Sequence, residues 1–160
     1  MSDEVRKKYN RRYTPYRISE LEENEIFVFG SNLKGSHGGG AARLAYNRFG
    51  AVWGLGTGLQ GRSYAIPTMQ GGAETIKPYV DAFILFAKHN TTLTFLVTRI
   101  GCGIAGFRDE DIAPLFADAL ELENVILPKE FVEILGATPT TPDANETTWD
   151  STDFISAYEP

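Results

Sequence analysis

Leu93-Thr94-Phe95-Leu96-Val97-Thr98-Arg99-Ile100-Gly101-Cys102-Gly103-Ile104-Ala105-Gly106-Phe107 opens as a run of apolar and β-branched residues and then breaks into glycines. Its first half has the composition of a strand buried on both faces. Gly101, Gly103 and Gly106 let the backbone turn at positive φ and approach a ligand closely. Asp109, Glu110 and Asp111 then open an amphipathic helix. Free N–H groups at a strand-to-helix junction, with the helix dipole behind them, favour an anion. The same residues also describe a plain tight turn. An earlier stretch of the chain tips the balance toward phosphate.

That stretch begins with Glu25-Ile26-Phe27-Val28-Phe29, a second buried strand, and ends at Gly30-Ser31-Asn32. Leu33-Lys34-Gly35-Ser36-His37-Gly38-Gly39-Gly40 follows, and from Ala41 the pattern turns helical. Ala41, Leu44, Ala45 and Phe49 share one face, and Gly50 is placed to end the helix. The logic of the later unit is thus repeated: strand, polar glycine loop, helix. Of 16 glycines, 15 lie between Gly30 and Gly106, which points to backbone recognition more than to scattered turns.

Between and beyond these units the alternation continues. Ala51 to Arg62 is too glycine-rich for a helix and reads as a loop or irregular hairpin. Ser63-Tyr64-Ala65-Ile66-Pro67 reads as a strand. Thr75 can cap a helix with Pro78 in its first turn, and Ile76, Tyr79, Val80, Phe83, Ile84 and Ala87 give that helix a wide apolar face. Asp109 is the expected cap of the next helix, with Ile112, Leu115, Phe116, Ala119 and Leu120 inward. Asn124 to Pro128 is a further strand, and Phe131, Val132 and Leu135 belong to a short closing helix. The aromatic lead-in at Tyr9, Tyr13, Tyr16 and Ile18 can supply an edge strand. Strands alternating with helices specify an α/β fold with a mostly parallel sheet covered on both faces. Ligands in such sheets bind outside the carboxyl ends of the strands, and both glycine loops leave from that edge.

Composition bounds the rest. With 160 residues, 42% of them hydrophobic, the chain can bury a core as one domain. That domain is expected over residues 1–137, followed by an acidic, partly disordered tail over 138–160. The tail carries five acids and no base, and Phe154-Ile155-Ser156-Ala157-Tyr158 could dock on its own or a neighbouring subunit, making a homo-oligomer. Residues 1–17 hold six Lys/Arg, a solvated segment or a local basic arm. The net charge of −6 argues against a broad nucleic-acid surface. The apolar runs are of strand length, so no membrane span is expected. Met1-Ser2-Asp3-Glu4 does not open a secretory signal, and the single cysteine fits a reducing cytoplasm.

Phe27 to Ala45, with Asn32 and Gly38-Gly39-Gly40-Ala41-Ala42, resembles the opening signature of the macro domains, the family that binds ADP-ribose. Gly101 to Phe107 is similar to the family's Gly-x-Gly-x-x-Gly-aromatic loop, and Ser63-Tyr64-Ala65-Ile66 to the strand between. The likeness runs over about residues 26–128. It implies a three-layer α/β/α fold with a mostly parallel, mixed sheet, and ADP-ribose or a related NAD-derived nucleotide as ligand. It also implies ADP-ribosyl hydrolysis as an activity. The family's adenine-reading Asp has no aligned counterpart, since the chain reads Glu22-Glu23-Asn24-Glu25-Ile26 there. Glu22 or Glu23 is the substitute at hand, and the branch is a divergent one.

The residues then take roles. The resemblance puts Asn32 on a ribose hydroxyl, although its amide can equally close an Asx turn. Gly30, Ser31, Gly38, Gly39, Gly40 and Ala41 would meet the distal ribose and phosphate. Gly101, Cys102, Gly103, Ile104, Ala105 and Gly106 would line the diphosphate, with Phe107 against ribose or in the core. Asn32 and His37 are the candidates to orient or activate a water, with Asp109 a third. His37 is otherwise an exposed loop histidine. Cys102 is a small buried residue more readily than a nucleophile. Arg99 either pairs locally or faces phosphate. No metal or resident cofactor is implied, since His89 and Cys102 have no ligand spacing with other residues. Two other functions compete. One is a non-catalytic nucleotide-sensing or interaction module. The other is an NAD-dependent oxidoreductase, which lacks the ribose-binding acid expected at Leu127-Pro128-Lys129.

Overall fold

The structure, a computed structural model, describes residues 12–137. The expectations for the basic segment 1–11 and the tail 138–160 lie outside the described residues. The elements run β1 (Glu25–Ser31), α1 (Gly40–Arg48), β2 (Gly58–Gln60), β3 (Ser63–Pro67), α2 (Lys77–Lys88), β4 (Thr94–Val97), α3 (Asp109–Ile112), β5 (Val125–Ile126) and α4 (Lys129–Ala137). Tighter 3-10 turns occupy Ala73–Thr75 and Ala113–Glu121. The fold is mixed α/β, with five strands in the order β2-β3-β1-β4-β5, and only β2 runs antiparallel to its neighbour.

β1 is central because both its faces are apolar. Phe27 and Phe29 point to one side, where they pack with Ala42, Ala45 and Phe49 of the α1 region. Ile26 and Val28 point to the other, into a larger cluster that joins α2 and α4 through Phe83, Phe116 and Phe131. Alternation along one strand therefore covers both faces with helices. The register sets Ser31 beside Pro67 and Val28 beside Val97. β1, β3 and β4 consequently release the chain at one edge.

Gly50, at φ +82°, ends α1 as expected, with the Phe49 N–H bonded to Ala45 O. The glycine-rich stretch 51–62, expected as a loop or irregular hairpin, is a loop that ends in β2, and β2 turns back antiparallel onto β3. The segment after residue 108 departs from expectation. A single helix capped by Asp109 was anticipated; α3 instead lasts one turn and continues as 3-10 helix. Pro114 has no N–H to continue the α-helical ladder, and the chain tightens. The Arg108 N–H is taken by Asp111 Oδ2 at 3.0 Å, while Asp109 turns away to Arg99. The aromatic lead-in supplies a single parallel bridge, Tyr13 with Leu127, rather than a full edge strand. Thr14 fastens it with its N–H on Leu127 O (2.9 Å) and its hydroxyl on Ile126 O (3.0 Å). No helix among the described residues is long and apolar enough to cross a membrane.

The loop after β1 leans on the glycine-rich stretch 51–62. Ser31 Oγ donates to Gly56 O, and the Gly54 N–H donates to Gly35 O at 2.9 Å. A Cβ at Gly56 would stand only 2.1 Å from Asn32 O, and flexible side-chain atoms are not what it meets. Gly56→Ala should therefore cost about 3 kcal/mol in denaturant unfolding, as overpacking does. Gly103→Ala, where nothing lies within 4 Å, should unfold like the wild type.

The lead-in is also held by charge. Arg12 Nη2 lies 2.9 Å from Glu25 Oε2, and the Glu22 N–H donates to Glu25 Oε1 at 2.9 Å. Burial alone would raise the Glu25 carboxyl. The Glu22 N–H, the Arg12 guanidinium and the Arg62 charge outweigh it and hold the group below its ordinary 4.5. A depressed carboxylate stabilises the fold fully above its unfolded value, and that contribution disappears as pH falls through the folded value. Glu25→Gln should lower stability at neutral pH and flatten the acid limb of a stability–pH curve. An acid limb identical to wild type would show that Glu25 is not part of it.

Candidate functional site

The carboxyl edge of the sheet opens into a cleft of about 780 Å³. The end of β1 (Gly30, Ser31, Asn32), the start of α1 (Gly39 to Ala42) and the second loop (Gly101, Gly103, Ile104, Ala105) all line it. The two loops touch. A Cβ at Gly30 would lie 3.5 Å from the Gly101 amide nitrogen, and one at Gly39 would lie 3.2 Å from Ile104 Cδ1. The absence of side chains lets the loops meet.

Helix α1 presents an acid-free N-terminus. Gly39 stands at its cap without a side-chain hydrogen bond, and no acidic residue occupies the first turn. The first intrahelical bond is Arg43 N–H to Gly39 O, so among the described residues the amides of Gly40, Ala41 and Ala42 remain open at a wall of the cleft. In the second loop the Cys102, Gly106 and Phe107 N–H groups bond to Arg99, Gly103 and Gly101 carbonyls. Among the described residues the N–H groups of Gly103, Ile104 and Ala105 have no such partner, and these residues line the cleft. Open amides thus approach one space from two sides, an arrangement suited to an anion.

The two helix N-termini beside the glycine loops differ in charge. α3 carries Asp109, Glu110 and Asp111 in its first turn, with Asp111 on the Arg108 amide, and such an end repels phosphate. The anion-receptive helix end is that of α1.

Side chains are largely committed to scaffolding. Asn32 closes its own loop, Nδ2 donating to Ser36 O and Oδ1 accepting the Ser36 N–H, both at 2.9 Å. It lines the cleft with one bond at each end of its amide committed to Ser36, which fixes its orientation. His37 is neither exposed nor at the cleft. It is fully buried, with Nε2 2.9 Å from Val52 O and Nδ1 unpartnered, among the rings of Phe29, Tyr46 and Trp53. Because Val52 O can only accept, Nε2 carries a proton and donates it there. The reason is not local: the Gly54 N–H on Gly35 O ties the loop to the stretch 51–62, whose Val52 and Trp53 enclose the imidazole. Gly38, Cys102, Gly106 and Phe107 also fall outside the lining. Phe107 packs against the larger core cluster, the second of its two expected places.

Arg99 resolves into a local pair. Nε and Nη2 donate to Asp109 Oδ1 and Oδ2 at 3.0 and 2.9 Å, a fork that holds both ends of the second loop. The Asp109 hydrogen bond raises the arginine's pKa. Asp109 does not line the cleft, so it cannot orient a water there. The Cys102 thiol also donates to Asp109 Oδ1, at 3.3 Å. Burial first, then that hydrogen bond and the Asp109 charge, push the thiol up to about 12. Glu22 and Glu23 do not reach the cleft. Its carboxylate is Glu130, at the start of α4.

Several lining residues were not anticipated: Thr14 to Ser19 of the lead-in, Arg48, Thr68, Met69, Thr98 and Pro128. Thr68, Thr98 and Pro128 follow the ends of β3, β4 and β5, so the strand-end rule applied to every strand would have found them. Nothing in the lead-in sequence signals that it forms a wall. Among the described residues no cluster of His, Cys, Asp or Glu could hold a metal ion. Comparison with protein families, with curated proteins and with solved structures finds no match for this chain.

A thiol held at about 12 is protonated at neutral pH. Alkylation of Cys102 by iodoacetamide should be slow at neutral pH and rise about tenfold per pH unit without levelling through the ordinary thiol range. A plateau in that range would reveal an activated nucleophile instead. Asp109→Ala, which removes the accepting carboxylate, should speed the reaction.

Proposed function

We propose that the chain binds ADP-ribose or a related NAD-derived nucleotide diphosphate, its two loops enclosing the pyrophosphate as in a macro-like three-layer α/β/α domain. One observation carries the reading: the open amides at the start of α1 and those of Gly103 to Ala105 line the same cleft. Gly40, Ala41 and Ala42 would take one phosphate and Gly103, Ile104 and Ala105 the other. Amides suit this task in a chain of net charge −6, since they attract phosphate without adding a formal charge. The lone cysteine is a free thiol, and we assign the protein to a reducing cytoplasm on that basis.

Within this proposal, binding is favoured over hydrolysis. Asn32 neither gives nor takes a proton and its amide is held by Ser36, His37 is buried elsewhere, and Asp109 is paired with Arg99. None of the three offers an acid or base free in the cleft. An oxidoreductase is disfavoured as well. The helix after Gly106 lasts one turn and begins with three acids, which is no seat for a dinucleotide pyrophosphate.

Calorimetric titration with ADP-ribose tests binding, and Ala41→Asp tests the mechanism. Ala41 is half-buried at the first turn of α1, where an acid favours the helix dipole but occupies the anion position. The variant should melt no lower than wild type while ADP-ribose affinity falls at least about tenfold. Absence of any binding by the wild type, or an unaffected variant, would overturn the reading. ADP-ribosylated protein incubated with the chain should remain unchanged; release of ADP-ribose would establish the hydrolase instead.

A further inference from the structure

We propose that the far end of the cleft is a second phosphate subsite, formed by Arg17 and Arg48, which takes a phosphate carried on the nucleoside ribose of the ligand. The inference rests on the nucleotide reading of the cleft and extends it to a substrate class, nucleotides phosphorylated beyond the pyrophosphate.

The cleft does not end at the loops. It continues along α1 past Ala41 and Leu44 to Arg48, and its opposite wall is Arg17, Ile18 and Ser19 of the lead-in, with Phe27 beneath. Ile18, Ala41 and Leu44 pack on the same small core cluster that contains Phe27, so lead-in and helix flank one apolar groove. From Gly40 to Arg48 the helix rises about 12 Å. The long arginine side chains can turn back toward a group nearer than that. The groove therefore has open amides at one end and two guanidinium groups at the other, with an apolar floor between them suited to a nucleoside.

Among the described residues the guanidinium groups of Arg17, Arg43 and Arg48 have no polar partner, and of these Arg17 and Arg48 line the cleft. Arg12 pairs with Glu25, Arg99 with Asp109 and Arg108 with Asp111, and Arg62 donates to the Leu21 and Glu22 carbonyls. Arg17 and Arg48 have neither an ion pair nor a hydrogen bond among the described residues, and both are exposed on the cleft. A cation in the last turn of a helix suits the dipole, which accounts for Arg48 by itself. It does not account for a second unpaired arginine across the groove on a segment that is not helical. The lining carboxylate, Glu130, is at the start of α4, after the carboxyl end of β5, where its charge acts on Arg99. The Arg17–Arg48 end is thus positive within an acidic protein. Two guanidinium forks that could turn into one cleft would match the planar, multiply accepting geometry of a phosphate.

Titration of the full chain with ADP-ribose and with ADP-ribose 2′-phosphate, at low and high salt, tests this. The wild type should bind the 2′-phosphate form roughly tenfold more tightly at low salt, with the gap closing as salt screens the exposed arginines. In Arg17→Ala/Arg48→Ala the ratio of the two affinities should collapse to about one, and in Arg17→Lys/Arg48→Lys much of it should return. A wild type that binds both forms equally, or a double alanine variant that keeps the preference, would overturn the second subsite while leaving the pyrophosphate reading intact. A wild type that binds neither would overturn both.

Discussion

Parallel pairing of β1 with both β3 and β4 is the constraint from which the site follows. Strands that run the same way deliver their chains to the same edge, so the loops after Gly30, Pro67 and Val97 have no choice but to share it. Whether they then meet or splay apart depends on side-chain volume. Gly30 lies against the Gly101 amide and Gly39 against Ile104, contacts that larger residues would push open. The cleft is the space left between two loops that approach closely without closing.

Loops of this kind need backing, because open amides are of use only if the backbone stays in place. The first loop rests on the stretch 51–62 through Ser31 on Gly56, Gly54 on Gly35 and the internal Asn32–Ser36 pair. The second is fastened by the Arg99–Asp109 fork and by the Phe107 N–H on Gly101 O. Polar side chains that look functional in the sequence are committed to this scaffolding. Asn32, His37, Arg99 and Asp109 all lie in or beside glycine loops and all are turned to the protein itself.

That commitment explains which parts of the molecule were legible in the sequence. Buried strands such as 25–29 and 93–97 are visible as apolar runs, and the glycine loops and the α1 face follow from spacing, so the mixed α/β sheet and the position of the cleft can be read directly. Side-chain roles inside the loops cannot, because they depend on contacts with the remote stretch 51–62: His37 is buried by Val52 and Trp53, which no local pattern connects to it. Pro114, by contrast, was a local signal for the break after α3 that the apolar periodicity of 112–120 obscured. The lead-in was the least legible part. Its attachment depends on Ile126, Leu127 and Glu25, each more than ten residues away in sequence.

The electrostatics of the cleft follow from the same division of labour. A free arginine at the pyrophosphate position would bring charge but also a flexible, hydrated side chain; paired with Asp109, Arg99 contributes rigidity and almost no net field. Attraction at the loops then comes from fixed backbone dipoles, which need no reorganisation when a ligand arrives and weaken little with salt compared with exposed charges. Formal positive charge is held back to the groove between α1 and the lead-in, at Arg17 and Arg48, where it meets solvent and remains adjustable. On the proposed reading, a chain that is acidic overall would hold an anion in this way: dipoles would fix where the ligand lies, and the two unpaired guanidinium groups would discriminate among the ligands that fit.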